Sequence, residues 1–233
     1  MKEVHSHPMS PGDPLGFTLI RVPFFLEPDY PRDEEFGETN RERLVRKWGG
    51  IRGWERQKQQ HKLKERGQEV GIAHFNLDRI ASSTFRSHRL VQWVTKTRGI
   101  VAAETLYDLL NYRHFEVGEK LNSTQLLTDA ASRIGIDRKE VEDFLSSEEG
   151  TREIQEAQLA LRRLNINSIP TFMIGGEYMF SGALHHKEMV QVFREIENEG
   201  GAPGSCFAKI LGIGEDVLEQ TIDLDKPPRW EQA

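Results

Sequence analysis

Cysteine is nearly absent from this 233-residue chain, which contains only Cys206. One cysteine excludes an internal disulfide and any metal cluster held by several cysteines. Long apolar runs are also missing, because no stretch approaches the roughly 20 apolar residues that a membrane-spanning helix needs. Residues 1–16 contain three prolines and no apolar run, which excludes a secretory signal peptide. We therefore expect a cytoplasmic protein with no membrane partner.

An excess of positive charge is lacking as well. The formal net charge is −6, which argues against a nucleic-acid partner, because such binders neutralise phosphates with Lys and Arg. The basic residues concentrate in 41–66, where ten Lys and Arg accompany three Glu. The simplest interpretation is a solvated helix face, and the alternative is a patch for an acidic partner. His185 and His186 are adjacent, so their side chains diverge, and His5 and His7 have no carboxylate cluster beside them. We predict no metal site.

Strand patterns are few and helix patterns are many. Phe17–Leu26 is rich in aromatic and β-branched residues and is the first strand candidate. Two short strands are predicted at Thr171–Ile174 and Glu177–Phe180, joined by a Gly-Gly turn. Between these candidates, capping residues and apolar periodicity predict a block of about five helices and then one more. The predicted helical segments are 41–66 (with breaks near 49–50 and 53), 82–98, 100–115, 122–135, 137–145, 150–164 and 185–197.

The stretch Asn165–Ala183, NINSIPTFMIGGEYMFSGA, opens a strand on a proline. Pro170 has no N–H for a sheet ladder, so it belongs at the first position of a strand. The Ile169–Pro170 bond is a candidate for the rare cis form, and the alternative is a trans proline that merely starts the strand. In the cis form, Ile169 would offer its backbone N–H and C=O to an extended peptide or a thiol ligand.

Several stretches, in order along the chain, resemble the DsbA family of thioredoxin-fold disulfide oxidoreductases, and most closely its FrnE-like branch. The segments 168–172 (SIPTF) and 181–183 (SGA) resemble the family's Gly-Val-Pro-Thr-Phe and Ser-Gly-Ala on either side of a hairpin. Residues 83–90 (STFRSHRL) resemble its Asn-Thr-x-x-Ala-His-Arg-Leu helix. Residues 24–28 (FFLEP) resemble its Pro-Phe-x-Leu-x-Pro segment. The likeness covers about residues 17–196.

The resemblance implies an α/β thioredoxin-like fold with an inserted all-helical subdomain at about 40–150. We expect an irregular segment at 1–16, a DsbA-like domain at 17–198 and a tail at 199–233. Phe17–Leu26 and Thr171–Ile174 should then lie in one sheet. The implied substrate-binding residues are Ser168, Ile169, Pro170 and His88, and the alternative for His88 is a partly buried helix histidine.

The family's catalytic segment is missing from this sequence. Members carry a first strand and a Cys-x-x-Cys helix start ahead of the strand that Phe17–Leu26 resembles, and the first strand lies centrally in the sheet. The sixteen residues before Phe17 contain neither feature. We therefore expect an incomplete gene model or a degenerate homologue, with no catalytic residue. Cys206 matches no family position, and we predict a free peripheral thiol without a helix N-terminus beside it.

Three functions remain open. The first is thiol–disulfide exchange on proteins or small thiols, inactive in the chain as written and needing no cofactor. The second is a glutathione-dependent isomerase or transferase of the same superfamily, with glutathione as its cofactor. The third is a non-catalytic module that binds an extended peptide at Ile169 and Pro170. The segment upstream of Phe17 would distinguish these three functions. A Cys-x-x-Cys there indicates the oxidoreductase, a serine indicates the glutathione-dependent enzyme, and the lack of both indicates the binding module.

Overall fold

The computed structural model describes residues 1–69, 71–72, 74–182, 185–202, 204–226, 229 and 231. Within these residues, helices dominate and the strands form two small antiparallel sheets. The strands are β1 Glu38–Thr39, β2 Ile80–Ala81, β3 Thr171–Ile174 and β4 Tyr178–Ser181. The helices are α1 Lys2–Ser6, α2 Asn40–Lys47, α3 Ile51–His61, α4 Leu63–Glu69, α5 Phe85–Tyr112, α6 Thr124–Arg133, α7 Arg138–Ser146, α8 Thr151–Arg163, α9 His186–Asn198, α10 Cys206–Ile210 and α11 Glu215–Leu218, with a π-helix at Arg113–Val117.

The chain divides into two compact units, which we name by their content. The sheet unit comprises Met1–Phe24, Gln92–Ala103 and Glu149–Pro228. The helical unit comprises Phe25–Val91, Glu104–Glu148 and Arg229–Ala233. Among the described helices, none is long and apolar enough to cross a membrane.

Capping side chains determine where the helices of the helical unit begin. Ser123 accepts a hydrogen bond from the Leu126 N–H at 3.3 Å and begins α6. Asp137 accepts one from the Glu140 N–H at 3.0 Å and begins α7. Such caps satisfy N–H groups that the first helical turn leaves unpaired. The two helices pack together through a buried apolar face: Leu126, Leu127, Ala130, Ala131, Val141, Phe144 and Leu145.

Gly99 divides α5 into two helical parts, as the sequence predicts. Its φ of 85° and ψ of 177° lie in a region that is nearly exclusive to glycine. A Cβ built on Gly99 would lie 2.2 Å from the Gln220 Oε1. That oxygen accepts a hydrogen bond from the Ile100 N–H at 3.0 Å, so the start of the second part is satisfied by a side chain.

The sheet unit is built around one apolar cluster that its helices share. The buried members are Ile100, Ala157, Leu161, Phe207, Ala208, Leu211, Ile213 and Val217. Met173 of β3 packs against the cluster, and so do three side chains of residues 17–24: Ile20, Val22 and Phe24. The hairpin and the N-terminal segment are therefore positioned by the same core.

The prediction that Phe17–Leu26 forms a strand in one sheet with Thr171–Ile174 is wrong. Residues 17–25 have no regular secondary structure, and β3 pairs with β4 alone in the described chain. A segment becomes a strand only when a neighbouring strand accepts its ladder hydrogen bonds. Here the carbonyls of Arg21 and Pro23 instead accept hydrogen bonds from the side-chain amides of Gln92 (2.5 Å) and Gln158 (2.6 Å).

Among the described residues, both terminal segments contribute more to the buried core than the sequence predicts. The segment 1–16, expected to be irregular, contains α1, and its Val4 is fully buried. The residues 199–233, expected to be a tail, contribute much of the sheet unit's core through Phe207, Leu211 and Val217. The helix patterns of these segments are short, so tertiary packing stabilises them more than propensity does.

Candidate functional site

The hairpin of β3 and β4 exposes one backbone edge. The register pairs Phe172 with Phe180 and Ile174 with Tyr178, and the Gly182 N–H donates to the Pro170 carbonyl at 2.8 Å. Since bonding residues alternate along a strand, the N–H and C=O groups of Thr171 and Met173 point away from β4. No strand within the described residues pairs with that side of β3.

The loop that leads into β3 is fixed by local hydrogen bonds. The Thr171 hydroxyl donates to the Ser168 carbonyl at 2.8 Å, and the hydroxyls of Ser168 and Ser181 lie 2.9 Å apart. The Ile169–Pro170 peptide bond is cis, which is one of the two forms that the sequence left open. Ser168, Ile169 and Pro170 are all exposed. The structure therefore brings these three predicted site residues together at the start of the open edge.

Apolar side chains surround this edge although they face solvent. Ile169 is 51% exposed, Phe172 38% and Met179 50%. By the register, Phe172 and Met179 lie on opposite faces of the hairpin, so each face presents an exposed apolar group. A two-stranded hairpin is also marginal by itself, so its apolar groups gain stability when another chain covers them.

Residues 17–24 expose a second backbone edge in the same unit. The carbonyls of Phe17, Arg21 and Pro23 accept hydrogen bonds, from the Ile222 N–H (2.9 Å) and from the two glutamines. The side chains of residues 20, 22 and 24 pack on the core. This alternation is that of an extended chain. Within the described residues, the backbone groups of 18, 20, 22 and 24 form no hydrogen bond.

His88, the fourth predicted site residue, lies in the helical unit. Its half-buried ring packs edge-on against Phe25, with 5.4 Å between the ring centres. This contact fits a partly buried helix histidine. The assignment of His88 to substrate binding stays a prediction, while Ser168, Ile169 and Pro170 lie in the sheet unit.

Cys206 lies closer to the candidate site than the sequence predicts. It is the first residue of α10, because Ser205 caps that helix by accepting from the Phe207 N–H at 3.2 Å. The expectation of no helix N-terminus at Cys206 is therefore wrong. The exposed thiol sulfur lies 4.0 Å from the Met173 sulfur on β3. Ser205 before a short apolar run is a sequence signal for the start of α10, but it gives no sign of the approach to Met173.

The helical unit contains an open cleft of about 570 Å³. Its charged side chains are already paired. Arg113 forms two hydrogen bonds with Glu119 (2.6 and 2.7 Å), and Asp129 accepts one from Arg138 at 2.7 Å. The Glu119 hydrogen bond helps to raise the pKa of Arg113 despite its partial burial. This arrangement stabilises the unit and leaves little charge to select a ligand. Among the described residues, no group of three or more His, Cys, Asp or Glu could hold a metal ion.

Comparisons with known proteins concern the family and the fold of the chain. Residues 16–193 match the family described as the DSBA-like thioredoxin domain. Among solved structures, the chain is similar to a probable DsbA oxidoreductase from Streptomyces coelicolor, at 23% sequence identity and a TM-score of 0.62. That similarity covers 74% of this chain and 72% of the other and concerns the fold. No curated protein matches the chain.

Proposed function

The chain belongs to the DSBA-like thioredoxin domain family, and from this premise we propose that it binds extended peptide or small-thiol substrates along the open edge of β3. The observation that carries the proposal is the orientation of the Thr171 and Met173 backbone groups away from β4. An extended peptide adds to such an edge through main-chain hydrogen bonds. The exposed side chains of Ile169 and Phe172 supply apolar contact beside those bonds.

Binding does not lead to turnover in the chain as it stands. A full exchange cycle needs an attacking thiolate and a second thiol that resolves the mixed disulfide. The 233 residues contain one cysteine. If the Cys206 thiolate attacks a substrate disulfide, one substrate thiolate leaves and a mixed disulfide forms. No second protein thiol can then displace Cys206, so its release depends on a thiol from outside the chain, and the chain by itself completes no exchange cycle.

The binding test uses reduced and alkylated insulin B chain, an extended peptide without free thiols, with fluorescence anisotropy as the readout. Thr171→Pro removes an N–H of the open edge and spares the ladder to β4. We expect affinity to fall about three- to tenfold, the value of one hydrogen bond. Thr171→Val is the matched control, because it removes the hydroxyl contact to Ser168 but keeps the N–H. Equal affinities for the two variants would place the peptide elsewhere.

The redox test is an insulin-reduction assay with the purified chain. We expect a rate no higher than that of the reductant alone, and the same rate for Cys206→Ser. A version with a Cys-x-x-Cys strand–helix segment added before Phe17 serves as the positive control. Turnover by the unmodified chain that survives Cys206→Ser would contradict the proposal of binding without exchange.

A further inference from the structure

The joint between α2 and α3 exposes two large apolar side chains in the helical unit. Trp48 is 37% exposed and Ile51 is 62% exposed. Between them lie Gly49 and Gly50, and a Cβ built on either glycine would meet no atom within 4 Å. On its Gly49-Gly50 side the joint is therefore convex and borders open space, unlike a groove that would enclose a peptide, whereas a Cβ built on Gly53 would lie 1.9 Å from the Trp48 carbonyl oxygen.

Cations surround this apolar pair. Together with Trp48 and Ile51 they form what we call the corner surface, whose basic members are Lys47, Arg52, Arg56 and Lys58. Segment 41–58 contains seven Lys and Arg and two Glu, although the whole chain has a formal charge of −6. Within the described residues, none of the four basic members forms an ion pair, and Glu55 is the one carboxylate of α3.

The corner surface has a fixed shape because α2 and α3 hold each other. The Arg41 guanidinium of α2 lies 5.1 Å from the Trp54 ring centre of α3 and 2.8 Å from the Asp78 carboxylate. On the other helix, the Lys58 ammonium lies 5.7 Å from the same ring. Ile51, Trp54 and Lys58 recur at the spacing of one helix face. Arg52 and Arg56 follow Ile51 by one and five residues, so they lie on the flank of that face rather than on it.

We propose that the corner surface binds the surface of a bilayer that contains anionic lipids. Trp48 and Ile51 enter the headgroup layer, where an amphipathic indole ring is favoured. Lys58 lies on the same face as Ile51, and the long side chains of Arg52 and Arg56 reach the lipid phosphates from the flank. Helices that lie on membranes combine Lys and Arg with Trp and aliphatic side chains in this way. This contact needs no spanning helix, so it departs from the sequence-based expectation of no membrane partner, which rested only on the lack of a span.

The negative net charge does not prevent this contact. Surface charges are screened beyond about 8 Å at physiological salt, so the bilayer experiences the charges near the corner rather than the whole chain. Each Lys or Arg close to an anionic bilayer increases binding about fivefold. An acidic protein segment would satisfy the same cations, but a convex corner with protruding apolar groups fits a deformable lipid surface better than a second rigid surface.

The test is sedimentation with vesicles of phosphatidylcholine containing about 30% phosphatidylserine, beside vesicles of phosphatidylcholine alone. We expect binding to the anionic vesicles and its loss as salt rises to about 0.5 M. The triple variant R52Q/R56Q/K58Q should bind about a hundredfold more weakly, from three charges at about fivefold each. The matched control K139Q/R152Q/K187Q removes three exposed cations outside the corner surface and should bind within about threefold of the parent chain.

Insertion is tested by indole fluorescence on the same vesicles. Trp48 should shift to shorter wavelength when it enters the headgroup layer, and Trp48→Phe should abolish that shift while the other tryptophans stay. Three outcomes would overturn the proposal: no binding to anionic vesicles, an equal loss in the control triple variant, or saturable binding of poly-glutamate that the vesicles do not compete. Circular dichroism checks that each variant is folded, which we expect because every changed side chain is exposed or half-buried.

Discussion

Two irregular segments of this chain, 17–24 in the sheet unit and 33–36 in the helical unit, are held by side-chain donors in opposite ways. Neutral amides of Gln92 and Gln158 hold residues 17–24. Charged and buried groups hold residues 33–36. Arg86 and Thr124 both donate to the Glu34 carboxylate, and Lys120 donates to the Glu34 carbonyl.

The two segments differ in how many of their backbone groups remain without a hydrogen bond. In residues 33–36, the Asn122 amide also donates to the carbonyls of Asp33 (2.6 Å) and Phe36 (3.0 Å), so the segment is satisfied on several sides. In residues 17–24, the carbonyls of residues 17, 21 and 23 accept hydrogen bonds, whereas the described structure shows none at the backbone groups of residues 18, 20, 22 and 24. Two neutral amides leave one edge of the apolar segment 17–24 open, whereas charged and neutral donors together close the acidic segment 33–36. We infer that the sheet unit, rather than the helical unit, can pair with an additional extended segment.

The largest predicted difference between the units is in their response to acid. Burial lowers the pKa of His114 in the helical unit to about 4, although its ring contacts the Glu119 carbonyl. The unfolded chain therefore binds a proton at His114 near pH 6.5, whereas the folded chain does not bind it until the pH falls to about 4. The contribution of neutral His114 to the free energy of unfolding is therefore complete above pH 6.5. It decreases by about 3 kcal/mol as the pH falls towards 4.

The measurement is urea denaturation at several pH values. His114→Asn keeps a donor near the Glu119 carbonyl but does not titrate, so its stability should fall about 3 kcal/mol less between pH 7 and pH 4. His186→Asn, at an exposed position of the sheet unit, is the control and should follow the parent chain. Glu34 adds to the acid sensitivity in both variants. Burial opposes its ionisation, but hydrogen bonds from Thr124 and Arg86 outweigh burial and lower its pKa.

A smaller effect should follow from removing the amide that closes segment 33–36. Asn122 is fully buried, and Asn122→Leu deletes its two hydrogen bonds to the Asp33 and Phe36 carbonyls. The substitution also removes the buried Asn122 Oδ1, which has no partner in the described structure. We expect the free energy of unfolding to fall by about 1–3 kcal/mol. Gln125→Leu, on the exposed side of α6, should change it by less than about 0.5 kcal/mol. Equal losses would mean that α6 itself, rather than the tether, was weakened.

Local features of this fold could be predicted from the sequence. Ser123 and Asp137 begin helices because their side chains accept the N–H groups of the first turn. Gly99 divides α5 because its backbone conformation excludes other residues. Pro170 precedes β3 because proline has no ladder donor. Each of these depends on a few adjacent residues, and so did the identification of the hairpin.

The rest depends on contacts between residues far apart in the chain. Phe17–Leu26 has the composition of a strand, but a strand forms only beside a partner strand, and the sequence of this segment does not show whether a partner is present. The short pair of β1 and β2 joins residues about 40 apart and has no pattern of its own. Cys206 lies beside Met173 because the chain end packs on the hairpin, where a Cβ on Gly176 would meet the Gly204 carbonyl at 2.2 Å. Nothing local signals that approach.

The smallest predicted effect tests whether an amide tether really holds residues 17–24. Gln158 Nε2 donates to the Pro23 carbonyl at 2.6 Å. Gln158→Leu leaves that carbonyl without its donor and should lower the free energy of unfolding by about 1 kcal/mol. Because the tether is neutral, the loss should be the same in low and high salt.

Gln158→Glu gives a second test of the same contact, because it replaces a hydrogen-bond donor with an acceptor beside the Pro23 carbonyl. A carboxylate beside the Pro23 carbonyl cannot donate, and two oxygens at that distance repel, so the folded state should raise the pKa of the new Glu above its ordinary value of about 4.3. The protonated acid can donate again. Since the folded chain then binds its proton more tightly than the unfolded chain, the variant should regain stability relative to Gln158→Leu as the pH falls below that raised pKa. If neither variant differs in stability from the parent chain, the packing of Ile20, Val22 and Phe24 alone holds residues 17–24. The two segments would then differ because apolar contacts hold residues 17–24 and polar contacts hold residues 33–36.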